Sequence, residues 1–200
     1  MKYTTHRLIL ILSIGLVTLL LAACGSAGQT TVPASTPAPA ESQMSGTEHN
    51  MGQSDAPYDA LFIDSMIVHH EGAIEMANQA LKEAAKPEIN TLAENIIKAQ
   101  EAEITQMKEW RQAWYSDLAE TAGMGMDMGT MEVSTDTSKP FDQRFIEAMI
   151  PHHEGAISMA KDAQQKAEHQ EIKKLADAII TAQEAEIAQM NQWLKDWYGQ

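Results

Sequence analysis

The chain has 200 residues, a length typical of one compact domain with additional segments. It carries 28 acidic and 14 basic residues, so its formal net charge at pH 7 is −14. A chain this acidic is poorly suited to bind nucleic acid or anionic lipid headgroups, because both are negatively charged.

The first segment has the features of an export signal. Two basic residues within the first seven precede an apolar run at 8–22, which ends in LAAC at 21–24. The run is too short and too close to the N-terminus for a membrane span, and it predicts a signal peptide over residues 1–23. The LAAC sequence resembles the lipobox of bacterial lipoproteins, which implies cleavage before Cys24 and lipid attachment to it. The alternative is an ordinary signal peptide with an incidental cysteine.

The segment after the signal peptide, residues 24–55, is rich in Ser, Thr, Pro, Ala and Gly and lacks apolar periodicity. This composition predicts a flexible tether. We therefore expect an exported protein, lipid-anchored on the outer side of the cytoplasmic membrane or in the periplasm, with its folded domain in residues 56–200.

The expected folded domain contains an internal duplication. A shift of 83 residues aligns 58–115 with 141–198 without a gap, and 32 of the 58 aligned positions are identical. The duplicated stretches include MIVHHEGAIEMA, which begins at Met66, and MIPHHEGAISMA, which begins at Met149. This pattern predicts a first repeat at about 56–119 and a second at about 140–200, joined by a linker at 120–139.

Each repeat has the pattern of a helical hairpin. Apolar or potentially buried residues are spaced alternately by four and three, at positions 62, 66, 69, 73, 76 and 80 and at positions 96, 100, 103, 107, 110 and 114. Pro87 marks the turn between the two helices, and no segment alternates as a strand would. We therefore predict an all-α, antiparallel four-helix bundle, ferritin-like if the linker makes a long crossover.

Histidines and methionines share the face of each first helix that should be buried. On a helix, Met66 lies in the middle of this face with His69 and His70 beside it, and Met76 lies one heptad beyond His69. A turn near residue 86 places two residues of the second helix level with them, Met107 and Glu103. The second repeat predicts the same arrangement for Met149, His152, His153, Met159, Met190 and Glu186.

Two interpretations of this face compete. A methionine stripe usually fills an irregular core, and a lone buried histidine is usually hydrogen-bonded. The combination of both residue types, duplicated with its spacing intact, favours a metal site. Glu103 and Glu186 are candidate ligands of lower rank, since glutamates at this position can also be solvated.

The ligand types favour copper over zinc. Thioether and imidazole together suit copper, above all Cu(I), whereas zinc without a thiolate would leave the methionines unused. The linker adds a thioether-rich stretch, GMGMDMGTM at 123–131, and its four methionines are further candidate ligands: Met124, Met126, Met128 and Met131. The alternative is a chance accumulation in a low-complexity linker.

The motif M-I-x-H-H-E-G-A-I-x-M-A resembles the domain-of-unknown-function 305 family over about residues 56–200. The resemblance implies an exported helical bundle of ferritin-like type, and some periplasmic members of the family are linked to copper binding and resistance. Carried over residue by residue, it points to Met66, His69, His70, Met76, Met149, His152, His153 and Met159. The linker methionines lie outside the motif.

Three functions are compatible with these features. The first is a non-enzymatic lipoprotein that buffers Cu(I) or transfers it to a partner protein outside the cytoplasm. The second is a ferritin-like metal-dependent oxidase, although di-iron bundles use Glu-x-x-His, which is not the arrangement found here. The third is a structural or partner-binding bundle whose histidines are merely buried.

Overall fold

The computed structural model describes residues 56–200, so the predicted signal peptide, Cys24 and the tether lie outside the described residues. This part of the chain forms four α-helices: α1 (Tyr58–Glu83), α2 (Pro87–Tyr115), α3 (Phe141–Lys166) and α4 (Gln170–Tyr198). No strand occurs between residues 56 and 200. The prediction of an all-α bundle built from two duplicated hairpins is confirmed.

The two hairpins pack against each other through α1 and α3. The start of α1 meets the end of α3, where the Tyr58 hydroxyl donates a hydrogen bond to Asp162 over 2.9 Å. The end of α1 meets the start of α3, where the Ala85 N–H donates to Asp142 over 3.0 Å. The helices α1 and α3 are therefore antiparallel, and the duplicated positions are related by an approximate two-fold axis.

Residues 116–140, here called the crossover, connect α2 to α3. The crossover starts at the end of the bundle where α1 begins and finishes at the opposite end, so α2 and α3 run parallel. This single long connection is the ferritin-like topology. The beginning of the crossover is fastened to α1, because the Thr121 N–H donates to Asp64 and the Met124 N–H to Ser65, both over 2.8 Å.

Two apolar clusters fill the bundle, one towards each end. The first cluster combines the first halves of α1 and α4 with the second halves of α2 and α3, and includes Phe62 and Ile179. The second cluster combines the complementary halves and includes Phe145 and Ile96. The middle of the bundle, between the two clusters, is left for the polar residues of the duplicated motif.

A buried aspartate from each hairpin holds the turn of the other. Asp59 accepts hydrogen bonds from the backbone N–H groups of Glu168 and His169, over 3.0 and 2.9 Å. Asp142 accepts from Ala85, the equivalent of Glu168 in the first repeat. These carboxylates satisfy donors at the turns before α4 and α2, and so tie the two repeats together.

Among residues 56–200, no helix has both the length and the apolar character that a membrane span requires.

Candidate metal site

A layer of polar side chains crosses the middle of the bundle and uses all four helices. It runs from Glu103 on α2, through two histidines of α1 and two of α3, to Glu186 on α4. Along the layer, the ring centroids are 6.3 Å apart for His70 and His69, 3.8 Å for His69 and His152, and 6.2 Å for His152 and His153. All four imidazoles are buried.

The outer histidine of each pair is oriented by a glutamate. His70 Nε2 lies 2.7 Å from Glu103 Oε2, and His153 Nε2 lies 2.7 Å from Glu186 Oε2. A carboxylate can only accept, so Nε2–H donates and Nδ1 keeps its lone pair. Both Nδ1 atoms are buried without a hydrogen-bond partner. A histidine whose other nitrogen is held by a carboxylate is the usual arrangement behind a metal ligand.

The inner histidines, His69 and His152, form the centre of the layer. Their rings lie 3.8 Å apart, tilted by 47°, and their four nitrogens are buried without a hydrogen-bond partner. Burial, reinforced by the neighbouring histidines, lowers the pKa of His69 to about 3 and that of His152 to about 2. Nearby backbone groups oppose these shifts only weakly. Both rings are therefore neutral at physiological pH and have lone pairs available for a cation.

Burial of unpaired imidazole nitrogens is unfavourable. Each buried polar group without a partner costs about 1 to 3 kcal/mol, which is why such groups are rare in folded proteins. Here the duplicated motif retains several of them in one layer, and they face one another rather than solvent. The layer therefore brings several unpaired nitrogens together at the centre of the bundle.

The six helical methionines belong to the two apolar clusters on either side of the layer, and they group across the repeats. The first cluster contains Met66, Met107 and Met159, and the second contains Met76, Met149 and Met190. Each cluster thus holds two methionines of one hairpin, as the register of the two helices predicts, and a third from the other hairpin. Met76 lies about two helical turns beyond the histidines of α1, so it belongs to the second cluster, whereas Met66 belongs to the first. For the same reason, Met159 belongs to the first cluster and Met149 to the second.

The crossover covers one face of the histidine layer. A Cβ atom built on Gly72 would overlap Met131 Cε and lie 3.4 Å from Met131 Sδ and 3.5 Å from His152 Nε2. A Cβ built on Gly155 would lie 2.7 Å from the carbonyl carbon of Met128. The glycine of each H-H-E-G motif therefore allows close approach of the crossover, and Met131 sulfur lies near His152.

The methionines of the crossover are half-buried rather than exposed. Met124 and Met126 pack against the first cluster, and Met128 and Met131 lie over the layer. This segment therefore packs along the bundle and does not project into solvent. The reason is that the ferritin-like crossover must return along the bundle, and apolar methionines let it pack there.

Histidine and carboxylate side chains alone do not form a metal site among residues 56–200. No group of three or more His, Cys, Asp or Glu side chains in this range has the geometry to hold an ion. Methionine is the other side chain of the duplicated motif that can donate to a metal ion, and its thioether suits soft cations.

Residues 59–194 match the family model described as Domain of unknown function (DUF305). The chain belongs to the DUF305 family. The match covers both repeats and the crossover, so the family resemblance noted in the sequence is confirmed.

Several solved structures are similar to this DUF305 chain. CopM in the Cu(I)-bound form is 44% identical, with a TM-score of 0.61, and the match covers 70% of this chain and 98% of CopM. CopM structures in the apo, Cu(II)-bound and silver-bound forms also match. A DUF305 protein from Streptomyces coelicolor is 27% identical, with a TM-score of 0.60 and coverage of 70% and 93%.

A curated relative matches over a shorter stretch. An uncharacterized protein of Acanthamoeba polyphaga mimivirus is 40% identical over 55 residues, which is 28% of this chain and 36% of that protein. The DUF305 chain thus spans about a third of the length of this relative.

Two features of the site were missed by sequence reasoning. The spacing pattern placed Gln100 on the buried face, but neither it nor its equivalent Gln183 was recognised as part of the site. Both are buried one turn before the layer's glutamates, each with an unpartnered Oε1. Both repeats have Gln at this position, and this identity could have indicated a role in the site.

The residues that fasten the crossover were also missed. They are Asp64, Ser65 and Arg111, which donates to the carbonyls of Leu118 and Ala119. Here the available signal was a difference between the two repeats. The second repeat has Glu, Ala and Leu at the equivalent positions, because the crossover begins at only one repeat.

The two motif glycines should respond differently to the same substitution. In Gly72→Ala, only the flexible end of Met131 must move, and alanine stabilises a helix by up to about 1 kcal/mol over glycine. In Gly155→Ala, the backbone of Met128 must move, which should cost about 1 to 3 kcal/mol. Denaturant unfolding of the two variants will measure the difference. Equal destabilisation would contradict the placement of the crossover.

The inner histidines should make stability depend on pH. Their pKa is about 6.5 when unfolded and lies well below that when folded, so the unfolded state takes up protons first. The free energy of unfolding should be highest above pH 6.5 and fall as pH decreases towards 3, by up to about 3 kcal/mol per pH unit for both histidines. The measurement is unfolding with a metal chelator present. The His69→Gln/His152→Gln variant should show a shallower slope, and parallel slopes would refute neutral burial.

Proposed function

We propose that this DUF305 protein is an extracytoplasmic lipoprotein that binds Cu(I) in its histidine layer and buffers it or transfers it to a partner protein. The observation that carries the proposal is the His69–His152 pair. Two neutral imidazoles from different repeats lie in contact, with their nitrogens unpaired and with thioethers on both sides. Imidazole and thioether donors together suit copper, and thioethers favour Cu(I).

The residues fit the ion by donor type as well as by placement. Nδ1 of His70 and of His153 carries a lone pair, since the opposite nitrogen donates to Glu103 or Glu186. The inner histidines supply further nitrogens. Thioethers are available from Met66 and Met149, three positions before each histidine pair, and from Met131, whose sulfur lies near His152. The glutamates act in this proposal by orienting the outer histidines rather than by ligating.

Neutral donors inside an apolar bundle suit a monovalent ion. Several carboxylates would be needed to offset the charge of a divalent ion there, whereas a Cu(I) ion adds a single charge. CopM structures hold Cu(I), Cu(II) or silver, and the Cu(I) and silver forms match this donor preference. Silver(I) shares with Cu(I) its single charge and its affinity for soft ligands.

Transfer requires ligands that can exchange, and thioethers provide them. Thioethers are neutral and bind more weakly than a thiolate, so each can leave the ion without taking up a proton. The lipid on Cys24, predicted from LAAC, would hold this exchange at a membrane surface outside the cytoplasm. A copper-transfer partner protein belongs to the same proposal.

The histidine layer can be tested by anaerobic Cu(I) competition against a chromophoric chelator. We expect His69→Gln/His152→Gln to abolish the tightest binding, because it removes the central nitrogens. Glu103→Ala/Glu186→Ala should weaken binding by about 10- to 100-fold, the usual effect of losing the partner that orients a histidine ligand.

The matched control is Glu101→Ala/Glu184→Ala. These glutamates lie two positions earlier on the same helices and are exposed, so the affinity should stay that of the unmodified protein. Unchanged Cu(I) affinity in the histidine variant, with folding verified by circular dichroism, would refute the layer as the copper site.

The lipid anchor has its own test. Cys24→Ser removes the sulfur to which the lipid would be attached, so the protein should be released from the membrane fraction or remain unprocessed. Fractionation of cells with metabolic labelling by a fatty acid will measure both. Continued labelling of the variant would show that Cys24 is not the lipidated residue.

A further inference from the structure

A cavity of about 180 Å³ lies between the crossover and the helices α1 and α3. Three crossover methionines, Met124, Met126 and Met128, line it together with Met159 of α3. Val68, of which 54% is exposed, lies at its rim, so the cavity is reached from solvent. Four thioethers from two parts of the chain thus surround one small space.

Packing alone does not account for this choice of residues. Between residues 119 and 132 the chain contains no Leu, Ile, Val or Phe, and methionine is its main apolar side chain. Leucine would fasten the crossover to the first cluster equally well, since its apolar volume is similar. Methionine differs by its sulfur, which is polarizable and can donate to a soft cation.

The oxygen donors around the cavity are already engaged. Asp64 forms an ion pair with Arg111 over 2.9 Å and accepts the Thr121 N–H over 2.8 Å. The Ser65 hydroxyl accepts the Met124 N–H over 2.8 Å. These bonds shape the crossover, and they leave the thioethers as the donors that an incoming ion would meet.

We propose that this cavity is a second soft-metal site, which binds one Cu(I) or Ag(I) through Met124, Met126, Met128 and Met159. The site goes beyond the proposed function, because it needs no histidine and stands whether or not the layer binds copper. Thioether-only sets select soft monovalent ions over Zn(II). The crossover passes the bundle once, so residues 56–200 contain a single such site although the histidine motif is duplicated.

The cavity site can be isolated in a variant that lacks the histidine layer, His69→Gln/His70→Gln/His152→Gln/His153→Gln. We expect this variant to retain one equivalent of Cu(I) or Ag(I), with a sulfur-only ligand shell in X-ray absorption. Adding Met124→Leu/Met126→Leu/Met128→Leu should abolish that equivalent, because leucine keeps the apolar volume and removes the sulfur. Thr121→Val, which removes an oxygen from the cavity lining, is the matched control and should leave it bound.

The same comparison in the otherwise native chain guards against misfolding of the histidine variant. There the triple leucine variant should bind one Cu(I) fewer than the parent. Equal stoichiometry in the two proteins, or nitrogen in the ligand shell of the retained ion, would overturn the cavity site. If the histidine substitutions change nothing and the leucine substitutions remove all copper, the layer fails as a site and the cavity stands.

Discussion

The burial of four imidazoles in the middle of the bundle is the constraint on which the rest of the structure depends. The layer from Glu103 to Glu186 divides the apolar core into two clusters, and each cluster must be stable enough to offset unpaired ring nitrogens. The glutamates satisfy one nitrogen of each outer histidine, and nothing comparable satisfies the inner pair among the described residues. The protein thus maintains at its centre an arrangement that a purely structural core would avoid.

The duplication produces near-symmetry, and the crossover breaks it. His70 and His153 have the same 2.7 Å contact with their glutamates, and Asp59 and Asp142 each hold the turn of the opposite hairpin. A chain with two hairpins has only one connection between them, so the crossover passes over one face of the layer. Identical motif glycines therefore meet different groups, a side-chain methyl at Gly72 and a backbone carbonyl at Gly155.

Both proposed sites use methionine thioethers, which are metal donors whose burial costs little free energy. Carboxylates in these positions would have to be paired or protonated, whereas methionine packs like an aliphatic residue and carries its donor with it. The helical methionines are consequently part of the apolar clusters that lie on either side of the histidine layer. This double role makes a copper function compatible with a stable bundle.

The sequence by itself determined the helices, the duplication and the buried face, because periodicity and identity are local properties of the chain. Hairpin geometry also predicted that Glu103 is level with His70, since a short turn sets the register of two neighbouring helices. Only the tertiary structure decided that His69 lies against His152, and that Met76 lies in one cluster with Met149 and Met190. Periodicity shows which side of a helix is buried but not which distant helix covers it. The packing of α1 against α3 determined which histidines meet. The course of the crossover along the bundle likewise determined that its methionines are half-buried.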